Sequence, residues 1–261
     1  MGIFVHILSS SGDDMKGLIY KDIILSKKFY IIAFLYCMII DIIAVLMRIS
    51  MICGNLANNE EVLNSLTRNM YIFHYVPCLI LLIAFSSDSG TIFSDINSGW
   101  MRFCNTTPVT SSQTALSKML SKLIVLSFAY IVCMIYISVF CIVGGEQLSF
   151  ELISTITGMF FLALSFAYIS IALSYFFSKR QTVELIMCSA GLIASFLLTS
   201  SMILKLDTME GVSEDFDLLD FFRTELSWIR PYFLLEAFGI FIITSVVCYF
   251  LSVNGLQRRD N

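Results

Sequence analysis

Six long apolar runs constrain this chain more than any other feature. They cover residues 29–47, 70–87, 120–143, 152–177, 183–204 and 233–253. A helix rises about 1.5 Å per residue, so roughly 20 residues cross a hydrocarbon layer about 30 Å thick. Open strands would leave backbone donors unpaired in lipid, so each run is expected to be a helix. Composition agrees. The 261 residues are 57% hydrophobic and 14% charged, whereas a soluble domain carries roughly 25% charged residues. The expectation is an all-α membrane protein, a single transmembrane domain over 1–261 with six transmembrane helices.

The ends and connections add detail. Ile3–Leu8 is too short, and lacks the basic flank, for a signal peptide. Met15 is a candidate natural start, with 1–14 as an extension. From 15 to 28, Lys16, Lys21, Lys27 and Lys28 alternate with Leu18, Ile19, Ile23, Ile24 and Leu25. This pattern predicts an interfacial helix whose lysines reach lipid phosphates. Lys and Arg placement sets orientation. With the N-terminus inside, the inner segments hold Lys16, Lys21, Lys27, Lys28, Arg102, Lys118, Lys122, Lys179, Arg180, Arg258 and Arg259. The outer ones hold only Arg48, Arg68, Lys205, Arg223 and Arg230. Both termini and the 88–118 connection are therefore expected in the cytoplasm, and the acidic loop 205–231 outside. That outer loop also holds Phe216, Phe221, Phe222 and Trp228. It reads as a short helix or hairpin on the outer surface, or as a loop collapsed on the bundle.

The 88–118 connection carries local punctuation. Asp88 and Ser89 can cap a short helix through Thr91–Ile96, which Asn97-Ser98-Gly99 would end. Pro108 marks a break. Thr110-Ser111-Ser112-Gln113 fits a capping box, so a second helix is expected to start at Thr110 and run on into the apolar segment. An ordinary polar loop would carry the same signals.

Other chemistry is sparse. Asp41, His74, Glu184 and Glu236 fall inside the apolar runs, and intramembrane charge is costly enough to make each a site candidate. The plainer reading pairs Glu184 with Lys179 or Arg180, Glu236 with Arg230, and sets Asp41 below Arg48. The cysteines, Cys37, Cys53, Cys78, Cys104, Cys133, Cys141, Cys188 and Cys248, form no CxxC and read as small hydrophobes. A net charge of −4 argues against nucleic acid as a partner. Gly12 and Gly17 have P-loop spacing, but Leu18 and Ile19 follow in place of Lys and Ser/Thr. No G-x-S-x-G or H-E-x-x-H motif is present. The chain is therefore not expected to be an enzyme or to hold a cofactor of its own.

Three features resemble the permeases of the ABC type-2 transporter family. The opening Met15-Lys16-Gly17-Leu18-Ile19-Tyr20-Lys21-Asp22 is similar to the start of bacterial members. Gly99-Trp100, then Thr107-Pro108-Val109-Thr110 and Ser117-Lys118, resemble their loop between spans two and three. The six-span layout with both ends inside covers the chain from residue 15. Thr107 stands where Leu usually precedes the proline, and Ser111 where a basic residue is usual. The resemblance implies that 88–118 forms a cytoplasmic coupling helix on a separate ABC ATP-binding subunit, which holds the ATP and magnesium. The docking stretch would run from Phe93 to Phe103, with Ile96, Trp100 and Phe103 as its apolar anchors and Arg102 as its charge partner, since Trp and Arg dominate interface energies; the plainer reading makes Trp100 an anchor at the membrane interface. It also implies two ATPases and a second copy of the permease or a paralogue, in contact with membrane lipids. The multi-pass assembly would sit in a bacterial plasma membrane. The form is similar to exporters of amphipathic peptides, including phenol-soluble modulin and antimicrobial peptide exporters, or of lipophilic drugs. Two other classes compete. One is an ATPase-independent channel or secondary carrier working through Asp41, His74 and Glu236. The other is a membrane immunity protein that binds a toxin without moving it.

Overall fold

The computed structural model describes residues 12–53, 78, 80–83, 85, 86, 90–98, 109–144, 148–177, 179–189 and 218–260. The regular structure among them is all helical. We name the helices α1 (Gly12–Cys53), α2 (Gly90–Asn97), α3 (Ser111–Gly144), α4 (Phe150–Phe176), α5 (180–189) and α6 (Leu218–Asp260). The described residues between 78 and 86 are helical as well.

Among the described residues, three stretches are long and apolar enough to cross a membrane: Ser111–Val143, Leu152–Phe176 and Tyr232–Arg258. A fourth is counted if the bent pair Lys16–Lys28 and Tyr30–Ile43, at 53° to one another, forms one span. Six spans were expected from sequence. The runs 70–87 and 183–204 lie mostly outside the described residues, so the helices described number three such spans, or four.

The helix ends follow local chemistry. At the start of α3, Thr110 N–H donates to Gln113 Oε1 at 2.8 Å, and Gln113 N–H donates to Thr110 Oγ1 at 3.3 Å. These are the two reciprocal bonds of the capping box, and they satisfy donors that the first turn leaves open. At α4, Ser149 Oγ accepts from Leu152 N–H. The short helix α2 spans Gly90–Asn97, with Ser98 in the turn beyond it.

One element differs from its expectation. Residues 218–231 were read as a separate short helix or hairpin, or a collapsed loop, ahead of a span from 233. They are instead the first turns of α6, which continues through Pro231 to Asp260. Proline removes a single ladder bond, and here the helix runs on across that gap.

Polarity does not separate the helix faces, since lipid-facing and bundle-facing residues are both apolar. On α3, Ile124, Phe128, Ile131, Ile135, Val139 and Ile142 face outward. Leu126, Ala129, Cys133, Ile137 and Phe140 are buried at the same helical spacing. The most extensive helix pair is α4 with α6, followed by α1 with α3. Helix α4 brings Ala163, Ala167, Ala172, Ser170 and Ser174 to its buried side. Small residues let helix backbones approach closely where there is no hydrophobic drive between helices in lipid. Gly255 of α6 shows how close: a Cβ there would stand 2.9 Å from Tyr175 Cβ. Cys37, Cys78, Cys133, Cys141 and Cys248 are free thiols inside the bundle, and Cys188 is free and exposed.

Candidate coupling site

Three elements that are far apart in sequence meet at Asp95. Helix α2 carries Ile92, Phe93 and Asp95 on its buried side, while Ser94, Asn97 and Ser98 are exposed. Ile92 joins the main core. Phe93 packs with Val183 and Met187 of α5, against Phe166, Leu173 and Phe177. The sequence placed Phe93 at the start of the stretch that docks on a partner. In the structure it holds α2 down onto this chain, because it is the residue of α2 that faces the gap between α4 and α5.

With its apolar neighbours turned inward, Asp95 is carried inward too, and it is met by charge. Its Oδ1 accepts from Lys21 Nζ at 2.6 Å, and its Oδ2 accepts from Lys118 Nζ at 2.6 Å. Lys118 Nζ donates a second bond to Asp22 Oδ1, also at 2.6 Å. Two lysines and two aspartates thus form one formally neutral chain that ties α1, α2 and α3 together. Side-chain exposure is 7% for Lys118 and 5% for Asp95, against 22% for Lys21. The inner pair is therefore screened little by water or salt.

Asp22 lies in the stretch of α1 ahead of the bend. Its burial pushes the carboxyl above the usual aspartate range, and Lys118 beside it pulls the other way. Among the described residues its Oδ2 has no hydrogen-bond partner. Asp22 is thus the costliest member of the group and Asp95, with both oxygens bonded, the best served.

One turn further along the same face of α3 lies Lys122. It donates to Tyr30 Oη at 3.2 Å and to the Phe85 carbonyl at 3.5 Å. Its ammonium also stands 5.6 Å from the centre of the Tyr30 ring, which stacks on Phe85 at 5.2 Å. Lys118 and Lys122 lie four residues apart, so they share a face, and each is held by a different group of partners. At the opposite side of this end of α3, the Ser112 and Tyr249 hydroxyls share a hydrogen bond of 2.6 Å that brings in α6.

The other residues singled out from sequence are placed as follows. Lys16, Lys27 and Lys28 are exposed on α1. Lys21 is not, and this corrects the expectation that all four lysines reach lipid: the Asp95 carboxylate takes its ammonium instead. Glu184 is exposed and paired with Arg180 at 2.6 Å. Glu236 is exposed on α6, while Asp41 is buried between α1 and α3. His74, Trp100, Arg102, Phe103 and the side chain of Ile96 lie outside the described residues. Sequence reasoning missed Asp22, Asp95 and Lys118 as a unit. The available signal was Asp95 itself, a carboxylate beside Ile92 and Phe93 on the apolar side of a very short helix.

The arrangement fixes a short connecting helix to the end of a long apolar helix and to the segment that precedes the first one. The chain also matches the family model described as ABC-2 family transporter protein, over residues 17–257. It belongs to the ABC-2 transporter family. Members are membrane transport components, and an ATP-binding partner subunit is implied for the family in general. The matched range takes in every residue of the ion-pair group and most of the apolar helices. No curated protein and no solved structure matches this chain.

Proposed function

We propose that this ABC-2 transporter chain is the permease subunit of an ATP-driven exporter in a bacterial plasma membrane. A separate ATP-binding subunit drives it from the cytoplasmic side by docking on the connection 88–118. The carrying observation is the buried group Lys21–Asp95–Lys118–Asp22. A connection that only joined two spans would not need a short helix ion-paired into the protein. A helix that receives force does, because displacement of α2 then moves the end of α3 and the start of α1 with it. Docking falls to the exposed edge of α2, at Ser94 and Asn97, and to Trp100, Arg102 and Phe103 just beyond. Two copies of the permease, or one with a paralogue, enclose the path. The cargo is amphipathic or lipophilic, such as a cytolytic or antimicrobial peptide, in keeping with a sequence that is 57% hydrophobic and only 14% charged.

Co-expression with the ATP-binding subunit tests this. Wild-type permease is expected to co-purify with it. Trp100→Ala is expected to weaken the complex by about 2 kcal/mol or more, as for an interface anchor, with the helical content unchanged. Unchanged assembly and unchanged ATP hydrolysis in both Trp100→Ala and Arg102→Ala would remove this connection as the drive point.

A further inference from the structure

A second feature lies away from the ion-pair group, on the outer side of the α1–α3 contact. A groove of about 400 Å³ opens there between the two helices. Phe34, Met38 and Val45 of α1 and Val132, Tyr136 and Val139 of α3 are among its walls, and Asp41 lines it with them. Ile42, Leu46, Ile135 and Val139 at its edges are exposed, so in a bilayer the groove opens to lipid. Among the described residues no cationic side chain lines it. Asp41 is 8% exposed, and among the described residues no hydrogen bond or ion pair reaches its carboxyl.

A buried carboxylate in an apolar wall is costly unless something pairs with it. We infer that the groove is a binding site for a lipophilic amine, an alkyl chain ending in a protonated primary ammonium, with the ammonium on Asp41 and the chain along the apolar walls. Two properties select this class. Among the described residues, the charge of the site is a single carboxylate with no competing lysine or arginine in the walls. Its size is at the small end of the roughly 300–1,000 Å³ typical of ligand pockets, enough for one extended chain. An amphipathic helix, about 10–12 Å across with its side chains, does not fit. Its described walls come from α1 and α3, so ligand binding is expected without ATP and without the partner subunit.

The test uses the full chain in nanodiscs of neutral phosphatidylcholine, with radiolabelled dodecylamine as the probe and no ATPase present. Saturable binding is expected, displaced by unlabelled dodecylamine but poorly by dodecanol or dodecyl sulfate. Asp41→Asn is expected to lower affinity by about tenfold or more, the loss typical of one hydrogen bond to a charged group. Asp41→Glu should retain binding. Val139→Trp, which fills the groove with Asp41 intact, should abolish it. Equal binding by Asp41→Asn, or equal displacement by dodecanol, would overturn the inference by making the groove a plain alkyl slot. Wild-type protein that binds no probe while Val139→Cys crosslinks between copies would overturn it too, by making the groove an interface. Should Asp41→Asn fail to fold, the Val139→Trp and dodecanol arms still decide. Each of these results leaves the ATP-driven reading standing, which is tested through subunit assembly.

Discussion

At the scale of single residues, the ion-pair group makes unequal demands on its members. Lys118 neutralises two carboxylates at once. Lys118→Met would leave Asp22 and Asp95 buried with only Lys21 between them. Breaking a buried pair this way costs about 3–5 kcal/mol, because the stranded charge remains. Asp22→Asn is expected to cost distinctly less, since Asp22 is already pushed toward its neutral form by burial and one of its oxygens is unbonded. Thermal unfolding of the purified variants in one detergent checks the order Lys118→Met, then Asp95→Asn, then Asp22→Asn. An Asp22→Asn as damaging as Lys118→Met would show the cost divided differently. The Lys118→Met and Asp95→Asn effects should also fail to add, as contacting partners in one network do.

At the scale of elements, what was legible in the sequence is what local chemistry decides. Thr110 and Gln113 carry the start of α3 in their own spacing, and the hydrogen bonds are those the motif predicts. The expected Thr91–Ile96 helix lies inside α2, and Asn97 is its last residue. Thr110→Ala should fray this start by about 1 kcal/mol, read as faster amide exchange at 111–114 with the rest of α3 unchanged. Features that depend on which face meets which neighbour were not legible. Lys21 is one of four similar lysines, and only the approach of α2 separates it from the others. Phe93 likewise reads as the start of a partner-docking stretch until α5 is placed beside it. The run through Pro231 escaped notice for a similar reason, because proline is a local stop signal that the continuing helix overrides. Close helix contact was also hidden in the sequence. Gly255 faces Tyr175 Cβ, so Gly255→Leu should overpack the α4–α6 seam and cost about 1–3 kcal/mol. The same substitution at Gly17, where nothing lies within 4 Å, is the matched control in a thermal-shift comparison.

At the scale of the whole molecule, the pieces divide into a bundle and a handle. The bundle is α4 with α6 and α3 with α1, packed through small residues and buried thiols. The handle is α2, held by Phe93 on one side and Asp95 on the other, at the end of α3 where the capping box begins the helix. Under the proposed function, such a division would let the protein take work from a partner and deliver it to helices in lipid. The sequence made the apolar runs plain through their length alone. Rigid attachment of the handle was beyond it, because the attachment joins residues 21, 22, 95 and 118 through space.

The most direct measurement of the central claim is ATP-driven efflux of a fluorescent amphipathic peptide from vesicles holding the permease with its ATP-binding subunit. The comparison is wild type against Lys21→Met and Asp95→Asn, with assembly and ATP hydrolysis followed in parallel. Lys21 is the partly exposed member, so its loss loosens α2 from α1 with the least damage to the bundle. The account predicts that both complexes assemble and hydrolyse ATP, while peptide moved per ATP falls in Lys21→Met and further in Asp95→Asn. Unchanged efflux per ATP in both variants would contradict it, since force would then reach the bundle without the ion-paired helix.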